Sequence, residues 1–155
     1  RIFQEGLLNL KALLQRVKEA TVAIEAGQIG SINQGLLVLI GLEKADDIGI
    51  GSRIIEKILS YRVFNDADRR MNLSVKDIAG GVLLVPQFTL AASTDRGLRP
   101  SFSNAMPPAD ACELFQEMYQ KLKERHEPTS SGRFGVDMQV ALVNDGPVTF
   151  LLELH

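Results

Sequence analysis

The stretch that decides the fold is GLLVLIG at residues 35–41, an unbroken apolar run between two glycines. A short continuous apolar run with such boundaries is typical of a buried strand. Upstream, residues 13–24 alternate loosely and residues 25–30 supply turn residues, which together predict a strand and a hairpin. Downstream, Gly80-Gly81 opens a second apolar run at residues 82–85, which predicts another buried strand.

Two helices are predicted from apolar side chains at helical spacing. The first covers residues 48–59, and Asp46, Asp47 and Ser52 are candidates for its cap or first turn. The second begins at Pro107-Pro108, where a missing amide proton costs little. Its apolar face consists of Ala111, Leu114, Phe115, Met118, Tyr119 and Leu122.

The remaining strands are predicted from short alternating or β-rich segments. They are residues 61–64, residues 136–142 with Val136, Met138, Val140 and Leu142 on one face, and residues 148–154. Irregular structure is predicted at residues 65–68, 91–104 and 127–132. Strands outnumber helices and occur in hairpins as well as around helices, so we predict a single α+β domain over residues 10–155. Residues 1–9 precede it and are interpreted as an N-terminal extension, natural or introduced by cloning.

Composition narrows the class of protein. With 155 residues, 45% hydrophobic and 23% charged, the chain is expected to be one soluble globular domain rather than a disordered or membrane protein. Its net charge of −2 argues against a protein that holds long nucleic acid through its phosphates, so we expect no DNA partner and only a local RNA contact. The single cysteine, Cys112, and the absence of a secretory signal pattern indicate a cytoplasmic protein.

The usual catalytic sets are missing from the sequence. His126 and His155 are the only histidines, and neither belongs to a recognisable motif. Cys112 lies among core positions of the second helix, where a small buried hydrophobe is the better interpretation. The spacing of potential ligands suits neither zinc nor a phosphate-binding loop, so we expect no metal and no cofactor.

Pro86-Gln87-Phe88-Thr89-Leu90 is the first unusual segment, because it stands where a buried strand reaches the surface. Backbone amides freed at such a strand end could stabilise an oxyanion, and Thr89 and Gln87 add a hydroxyl and an amide. The alternative is a strand that simply ends at a proline bend, and the residues alone favour that alternative.

Asn144-Asp145-Gly146-Pro147 is the second unusual segment. Its residue types are those that hairpin turns select, so an ordinary turn is the simplest interpretation. A cis Gly146-Pro147 bond would fix carbonyls in an unusual direction, but only about 5–6% of X-Pro bonds in folded proteins are cis. Residues 94–102 form a third candidate, a loop in which Arg96 and Arg99 could contact phosphate or simply be solvated.

At these segments the chain resembles the D-aminoacyl-tRNA deacylase family, from about Lys11 onward. Five blocks in the same order carry the resemblance: Leu14-Gln15-Arg16-Val17, Gln87-Phe88-Thr89-Leu90, Gly97-x-Arg99-Pro100-Ser101-Phe102, Gly132-x-Phe134-Gly135-x-x-Met138 and Val143-Asn144-Asp145-Gly146-Pro147-Val148-Thr149. The resemblance implies a domain of mostly antiparallel, barrel-like sheets with two main helices, working as a homodimer in translation quality control.

The resemblance also implies a site at the subunit interface, where Gln87, Phe88 and Thr89 of one subunit face Gly146 and Pro147 of the other. A cis Gly146-Pro147 bond would then admit an α-hydrogen and collide with an L side chain, so that D-aminoacyl-tRNA is hydrolysed and L-aminoacyl-tRNA rejected. Glycine has no side chain to exclude, so a side activity on Gly-tRNA is expected.

Further residues take roles only from this resemblance. Arg16 would hold the Gly-Pro segment from behind, Ala111 would lie near the 3′ terminal adenosine of the RNA, and Phe134, Gly135 and Met138 would line the pocket. One position departs from the family pattern, because Pro86 stands where the family usually has serine. Proline donates no hydrogen bond, so a role of that serine in aligning adenosine does not carry over.

Two routes for the hydrolysis remain open. In one, Thr89 attacks the ester and forms an acyl-enzyme, although no partner base is evident. In the other, which we prefer, the 2′-hydroxyl of the RNA helps to activate water while the amides of Phe88 and Thr89 stabilise the oxyanion. Two other classes also remain: a non-catalytic RNA-binding or scaffold module, and a different hydrolase that uses Thr89 on D-amino esters or peptides.

Overall fold

The computed structural model describes residues 9–155. Residues 1–8 of the predicted extension lie outside the described part of the chain. Asn9 is hydrogen-bonded to the fold: its backbone amide donates to Asp46 Oδ1 at 2.8 Å, and its side-chain Nδ2 donates to Glu43 Oε2 at 3.1 Å. These bonds anchor the chain immediately before the first strand.

Eight strands, two α-helices and one short 3₁₀ turn make up the described fold. The strands are β1 (Leu10–Ile24), β2 (Gly27–Ile32), β3 (Gly35–Gly41), β4 (Phe64–Asn65), β5 (Met71–Leu73), β6 (Gly81–Pro86), β7 (Thr129–Ser131) and β8 (Gln139–Leu154). The helices are α1 (Ile48–Ser60) and α2 (Pro108–Arg125), and the 3₁₀ turn is Phe88–Ala91. No helix described over residues 9–155 combines the length and apolarity needed to cross a membrane.

The main sheet curls until it nearly closes. Its strands follow the order β2-β1-β3-β6-β7, and β8 pairs with the other edge of β1. Ser31 N, in β2, donates to Ser130 Oγ of β7 at 3.2 Å, which brings the two ends of this order together. The result is a mostly stranded, barrel-like sheet with two helices, which confirms the predicted α+β class. The pairs β3-β6 and β6-β7 are parallel, and the other pairs are antiparallel.

The central strands are buried on both faces, which explains their unbroken apolar sequence. Leu36, Val38 and Ile40 of β3 face a large core shared with both helices, whereas Leu37 faces a smaller core inside the curled sheet. The predicted strand at residues 35–41 is confirmed at both ends. The predicted apolar face of α2 is also confirmed, since Leu114, Phe115, Met118 and Leu122 are buried.

Helix α1 begins where an aspartate caps it. The side chain of Asp47 accepts a hydrogen bond from Ile50 N at 3.0 Å, so Asp47 is the cap among the three candidates. Asp46 has another role, because its Oδ2 accepts from Glu43 N at 2.7 Å. Burial raises the pKa of both Asp46 and Glu43, and Lys11 Nζ lies 3.5 Å from Glu43 Oε2.

Several predicted boundaries were wrong. The turn of the first hairpin is shorter than residues 25–30, since β2 already begins at Gly27. The strand predicted at residues 61–64 is reduced to Phe64–Asn65, and the alternating segment 136–142 joins a strand only from Gln139. The loop predicted at residues 127–132 contains β7, because Val82, Leu83 and Leu84 of β6 offer free hydrogen-bonding groups that even turn-favouring Thr and Ser residues can use.

The largest correction concerns Asn144-Asp145-Gly146-Pro147, which is not a hairpin turn. Strand β8 continues through it and pairs antiparallel with β1 on both sides, Asn144 opposite Val17 and Thr149 opposite Gln15. Residues 145–148 therefore lie opposite Arg16 alone, which makes the segment a large bulge with four residues opposite one. Bulges and turns select the same flexible residues, so composition did not separate the two.

Candidate functional site

A cavity of ≈ 600 Å³ opens where β6 ends. Six residues singled out from the sequence line it together: Pro86, Gln87, Phe88, Phe134, Gly135 and Met138. Sequence reasoning missed the rest of the wall, namely Val85, Met106, Pro108, Val136, Asp137 and Val140. The only feature of the sequence that could have indicated these residues is their closeness along the chain to the singled-out segments or to the start of α2.

Glycine at position 132 lets the far wall fold close to β6. Gly132 N donates to Leu84 O at 2.9 Å, and a Cβ at this position would lie 2.8 Å from Met138 Sδ and 3.3 Å from Pro86 Cδ. Arg133 N in turn donates to Met138 Sδ at 3.3 Å. The Met138 side chain is thus held against the strand end, and the cavity between them is preformed.

Gln87 and Phe88 line this cavity, and Thr89 follows them in the chain. Gln87 N donates to Ile40 O at 2.8 Å, and Gln87 O accepts from Leu90 N at 3.1 Å. Both backbone polar groups of Gln87 are therefore hydrogen-bonded, which fixes the start of this segment. Within residues 9–155, no acceptor is bonded to the amides of Phe88 and Thr89. Two fixed donors without partners can bind an oxyanion.

Thr89 is placed less favourably for direct attack. Its side chain is exposed and is not among the lining residues of the cavity. Its Oγ1 accepts a hydrogen bond from Gln87 Nε2. His126 offers no base here, because its Nε2 lies 2.6 Å from Gly80 O at the opposite end of β6, roughly 20 Å along the strand from Gln87.

The β8 bulge is braced by its own side chains and by Arg16. Asn144 Oδ1 accepts from Val148 N at 3.0 Å, and Asn144 Nδ2 donates to Thr149 Oγ1 at 2.9 Å. Arg16 is 8% exposed, and its Nε donates to Asp145 O at 3.0 Å while Nη1 donates to Val63 O at 2.8 Å. The bulge therefore has a fixed backbone.

Gly146 and Pro147 stand at the exposed crest of this bulge. The bond between them is cis, as the resemblance implies. Gly146 has φ +133°, a conformation that side-chain-bearing residues rarely adopt. Neither residue lines the ≈ 600 Å³ cavity. Ala111 does not line it either, because it is buried at 5% exposure in the main core.

The basic loop approaches the cavity through an aromatic contact. Ser93 and Ser101 exchange backbone hydrogen bonds of 2.7 and 2.9 Å, which close the loop at its base. The ring of Phe102 then packs against Phe88 with 5.2 Å between centroids. Arg96 and Arg99 are exposed on this loop. Arg96 and Arg99 therefore belong to the same loop as Phe102, which contacts the cavity wall at Phe88.

Arg16→Ala is expected to lower the free energy of unfolding by about 2–4 kcal/mol, because the buried carbonyl of Val63 and the partly buried carbonyl of Asp145 both lose a charged donor. Urea unfolding followed by circular dichroism measures this change. Arg16→Lys is the matched control, since one ammonium reaches only one of the two carbonyls and should recover part of the loss. An unchanged unfolding midpoint in Arg16→Ala would show that Arg16 does not brace the bulge.

Comparisons with known proteins agree on one family. The family model described as D-Tyr-tRNA(Tyr) deacylase matches residues 13–153. A D-aminoacyl-tRNA deacylase of Pseudomonas putida F1 is 53% identical over 145 residues, which cover 94% of this chain and 100% of the relative. The corresponding proteins of Pseudomonas fluorescens Pf0-1 and Cellvibrio japonicus are 55% and 50% identical, covering 93% and 92% of this chain and 99% and 97% of theirs.

Two solved structures share the fold. A protein described as c-Myc DNA Unwinding Element Binding Protein superposes with a TM-score of 0.89 at 36% identity, covering 94% of this chain and 99% of its own. A probable eukaryotic D-amino acid tRNA deacylase superposes with a TM-score of 0.81, covering 95% and 100%. The latter is 14% identical and supports the fold alone.

Proposed function

The chain belongs to the D-aminoacyl-tRNA deacylase family and hydrolyses the ester of D-aminoacyl-tRNA, and we propose that the β8 bulge gives this reaction its chirality. In this proposal Gly146 and Pro147 of one subunit face Gln87–Thr89 of the other. The backbone of the bulge leaves room for an α-hydrogen but not for an L side chain. The observation that carries the proposal is the bulge itself, which is fixed by Arg16 and Asn144 yet exposes its crest.

A homodimer would bring the two halves of this site together. Within one chain, the bulge crest and the cavity are separate. Among the described residues β8 pairs only with β1, so its second edge is open. That strand also exposes apolar side chains, Val140 at 36%, Val143 at 46%, Phe150 at 37% and Leu151 at 48%. An open edge with apolar side chains favours pairing with another copy, and two-fold pairing would create two equivalent sites.

The ≈ 600 Å³ cavity suits the 3′ terminal adenosine of the substrate. Phe134 and Met138 offer surfaces for a base, and Phe88 lines the same cavity, so in this proposal the ester lies beside the unpaired amides of Phe88 and Thr89. Pro86 lines the same cavity in place of the family serine and supplies no donor. Alignment of the adenosine then relies on apolar contact and on backbone groups.

The preferred chemistry uses the substrate's own hydroxyl. Water attacks the ester carbonyl carbon with help from the ribose 2′-hydroxyl, and the carbonyl oxygen becomes an oxyanion held by the amides of Phe88 and Thr89. The bond from carbonyl carbon to ribose oxygen then breaks, and that oxygen takes a proton. The products are free D-amino acid and tRNA. This route needs no side-chain base, which agrees with the placement of His126 away from the cavity.

Gly-tRNA should be hydrolysed at high enzyme concentration. A screen that works by excluding an L side chain has nothing to exclude in glycine, so discrimination against Gly-tRNA rests on weaker differences in binding. Initial rates on Gly-tRNA and D-Tyr-tRNA at rising enzyme concentration measure this. Complete resistance of Gly-tRNA under conditions that consume all D-Tyr-tRNA would contradict exclusion as the mode of selection.

One assay separates this proposal from its two rivals. Purified protein is incubated with D-Tyr-tRNA, L-Tyr-tRNA and a simple D-tyrosine ester. The proposal predicts hydrolysis of D-Tyr-tRNA with the L form intact and little reaction of the ester. A scaffold or RNA-binding module would leave all three intact, and a general D-amino ester hydrolase acting through Thr89 would consume the simple ester as fast as the RNA.

A further inference from the structure

A second cavity, of ≈ 390 Å³, adjoins the proposed adenosine cavity. Phe134 belongs to the walls of both. Helix α2 supplies much of the second wall through Gln116, Tyr119 and Gln120, and Arg133 supplies part of the other side. Of the residues to which the sequence analysis assigned a functional role, only Phe134 lines this cavity.

The chemistry of its lining suits a nucleotide. Tyr119 and Phe134 are aromatic surfaces on which a base can stack, and the carboxamides of Gln116 and Gln120 can both donate and accept hydrogen bonds. Arg133 is exposed and takes part in none of the salt bridges found among the described residues. Its guanidinium is therefore available to a phosphate.

Helix α2 places a cationic side chain close to the second cavity. Gln116, Tyr119 and Gln120 share one face with Lys123, whose Nζ lies 5.2 Å from the centre of the Tyr119 ring. Asp110, Glu113 and Glu117 of the same helix line a different cavity together with Asp46 and Asp47. No Asp or Glu lines the ≈ 390 Å³ cavity. Arg133 is thus the one charged residue among the described residues that line this cavity, and Lys123 lies beside Tyr119, an arrangement that suits a phosphate.

We propose that this second cavity binds the nucleotide that precedes the terminal adenosine. Its base stacks near Tyr119 and Phe134 within reach of Gln116 and Gln120, and Arg133 contacts the adjoining phosphate. The inference rests on the proposed placement of the adenosine, because the two cavities share Phe134 and consecutive nucleotides are joined by one phosphodiester. Binding of a second nucleotide would supply affinity for the RNA that Pro86, which donates no hydrogen bond, does not supply in the adenosine cavity.

The test compares a long and a short substrate. Arg133→Ala and Gln120→Ala change exposed side chains and should leave the fold intact. Each is expected to lower kcat/KM for D-Tyr-tRNA by about tenfold, since a charge-assisted or neutral hydrogen bond to the RNA is lost. Neither should alter hydrolysis of 3′-O-D-tyrosyl-adenosine, which has no preceding nucleotide. Arg53→Ala, which removes an exposed charge from α1, is the matched control and should affect neither substrate.

Direct binding provides a second readout that does not depend on catalysis. The trinucleotide CCA should bind wild-type protein more tightly than adenosine, and Arg133→Ala should reduce the salt dependence of that binding by a slope of about 0.7, as for one phosphate. Equal losses on both substrates, or no loss on either, would overturn the second subsite. If wild-type protein hydrolyses neither substrate, the proposed function fails, whereas CCA binding still reports on the cavity.

Discussion

Gly146→Ala should reduce kcat/KM for D-Tyr-tRNA by about 100-fold or more, because even a 1 Å displacement of a positioning group can cost that much. A Cβ at this position would lie 2.8 Å from Val148 Cγ2 and 3.0 Å from Arg16 Nη2. Both neighbours are buried, at 9% and 8% exposure, so neither can move away freely. The bulge crest must shift instead. Initial rates on D-Tyr-tRNA measure the effect.

Gly27→Ala is the matched control for this variant. Gly27 has φ +129°, close to that of Gly146, but nothing lies within 4 Å of a Cβ built on it. Both variants place a side chain on a residue whose backbone conformation disfavours one, so both should lose thermal stability. Only Gly146→Ala should lose activity beyond that expected from its stability. Equal activity in the two variants would mean that the bulge crest has no part in the reaction.

Replacing the terminal adenosine by 2′-deoxyadenosine should lower the hydrolysis rate by about 10²–10⁴-fold, the usual contribution of a positioned proton-transfer group. Thr89→Ala, in contrast, should keep most of the activity. The Thr89 hydroxyl is exposed, lies outside the cavity wall and is bonded to the side chain of Gln87, so it lacks a base and a position for attack. Single-turnover rates on both substrates and both proteins separate the two routes.

The control for this experiment is binding. Competition between the 2′-deoxy substrate and uncharged tRNA shows whether the modified RNA still occupies the site. Full loss of activity in a folded, RNA-binding Thr89→Ala variant would favour the acyl-enzyme route. Normal hydrolysis of the 2′-deoxy substrate would exclude assistance by the RNA.

The central strands could be predicted from sequence because one physical requirement governs each of them. In β3, burial on both faces demands an unbroken apolar run, and the flanking glycines mark where the run ends. In α2, the apolar residues recur at helical spacing and Pro108 stands in the first turn. Strand β7 could not be predicted, since Thr129–Ser131 is stranded only because β6 lies beside it.

In the candidate site, too, local segments could be predicted from the sequence, whereas features that depend on packing or pairing could not. The segments 86–88 and 134–138 were recognisable one at a time, but their meeting in one cavity depends on the close packing of Gly132 against Met138 and Pro86. The bulge escaped prediction because its identity depends on pairing with β1 on both sides, which residue types do not encode. Resemblance identified Gly146 and Pro147, and the structure replaced the expected turn with a braced bulge.

Mixing two inactive variants tests the cross-subunit site most directly. Phe88→Pro removes one of the two proposed oxyanion donors, and Gly146→Ala displaces the bulge crest, so each variant alone should be nearly inactive. In a mixed dimer, one site carries both changes and the other carries neither. After unfolding and refolding an equal mixture, random pairing should restore about a quarter of wild-type activity on D-Tyr-tRNA. Activity no higher than that of the separate variants, in mixtures proven to contain mixed dimers, would contradict a site shared between subunits.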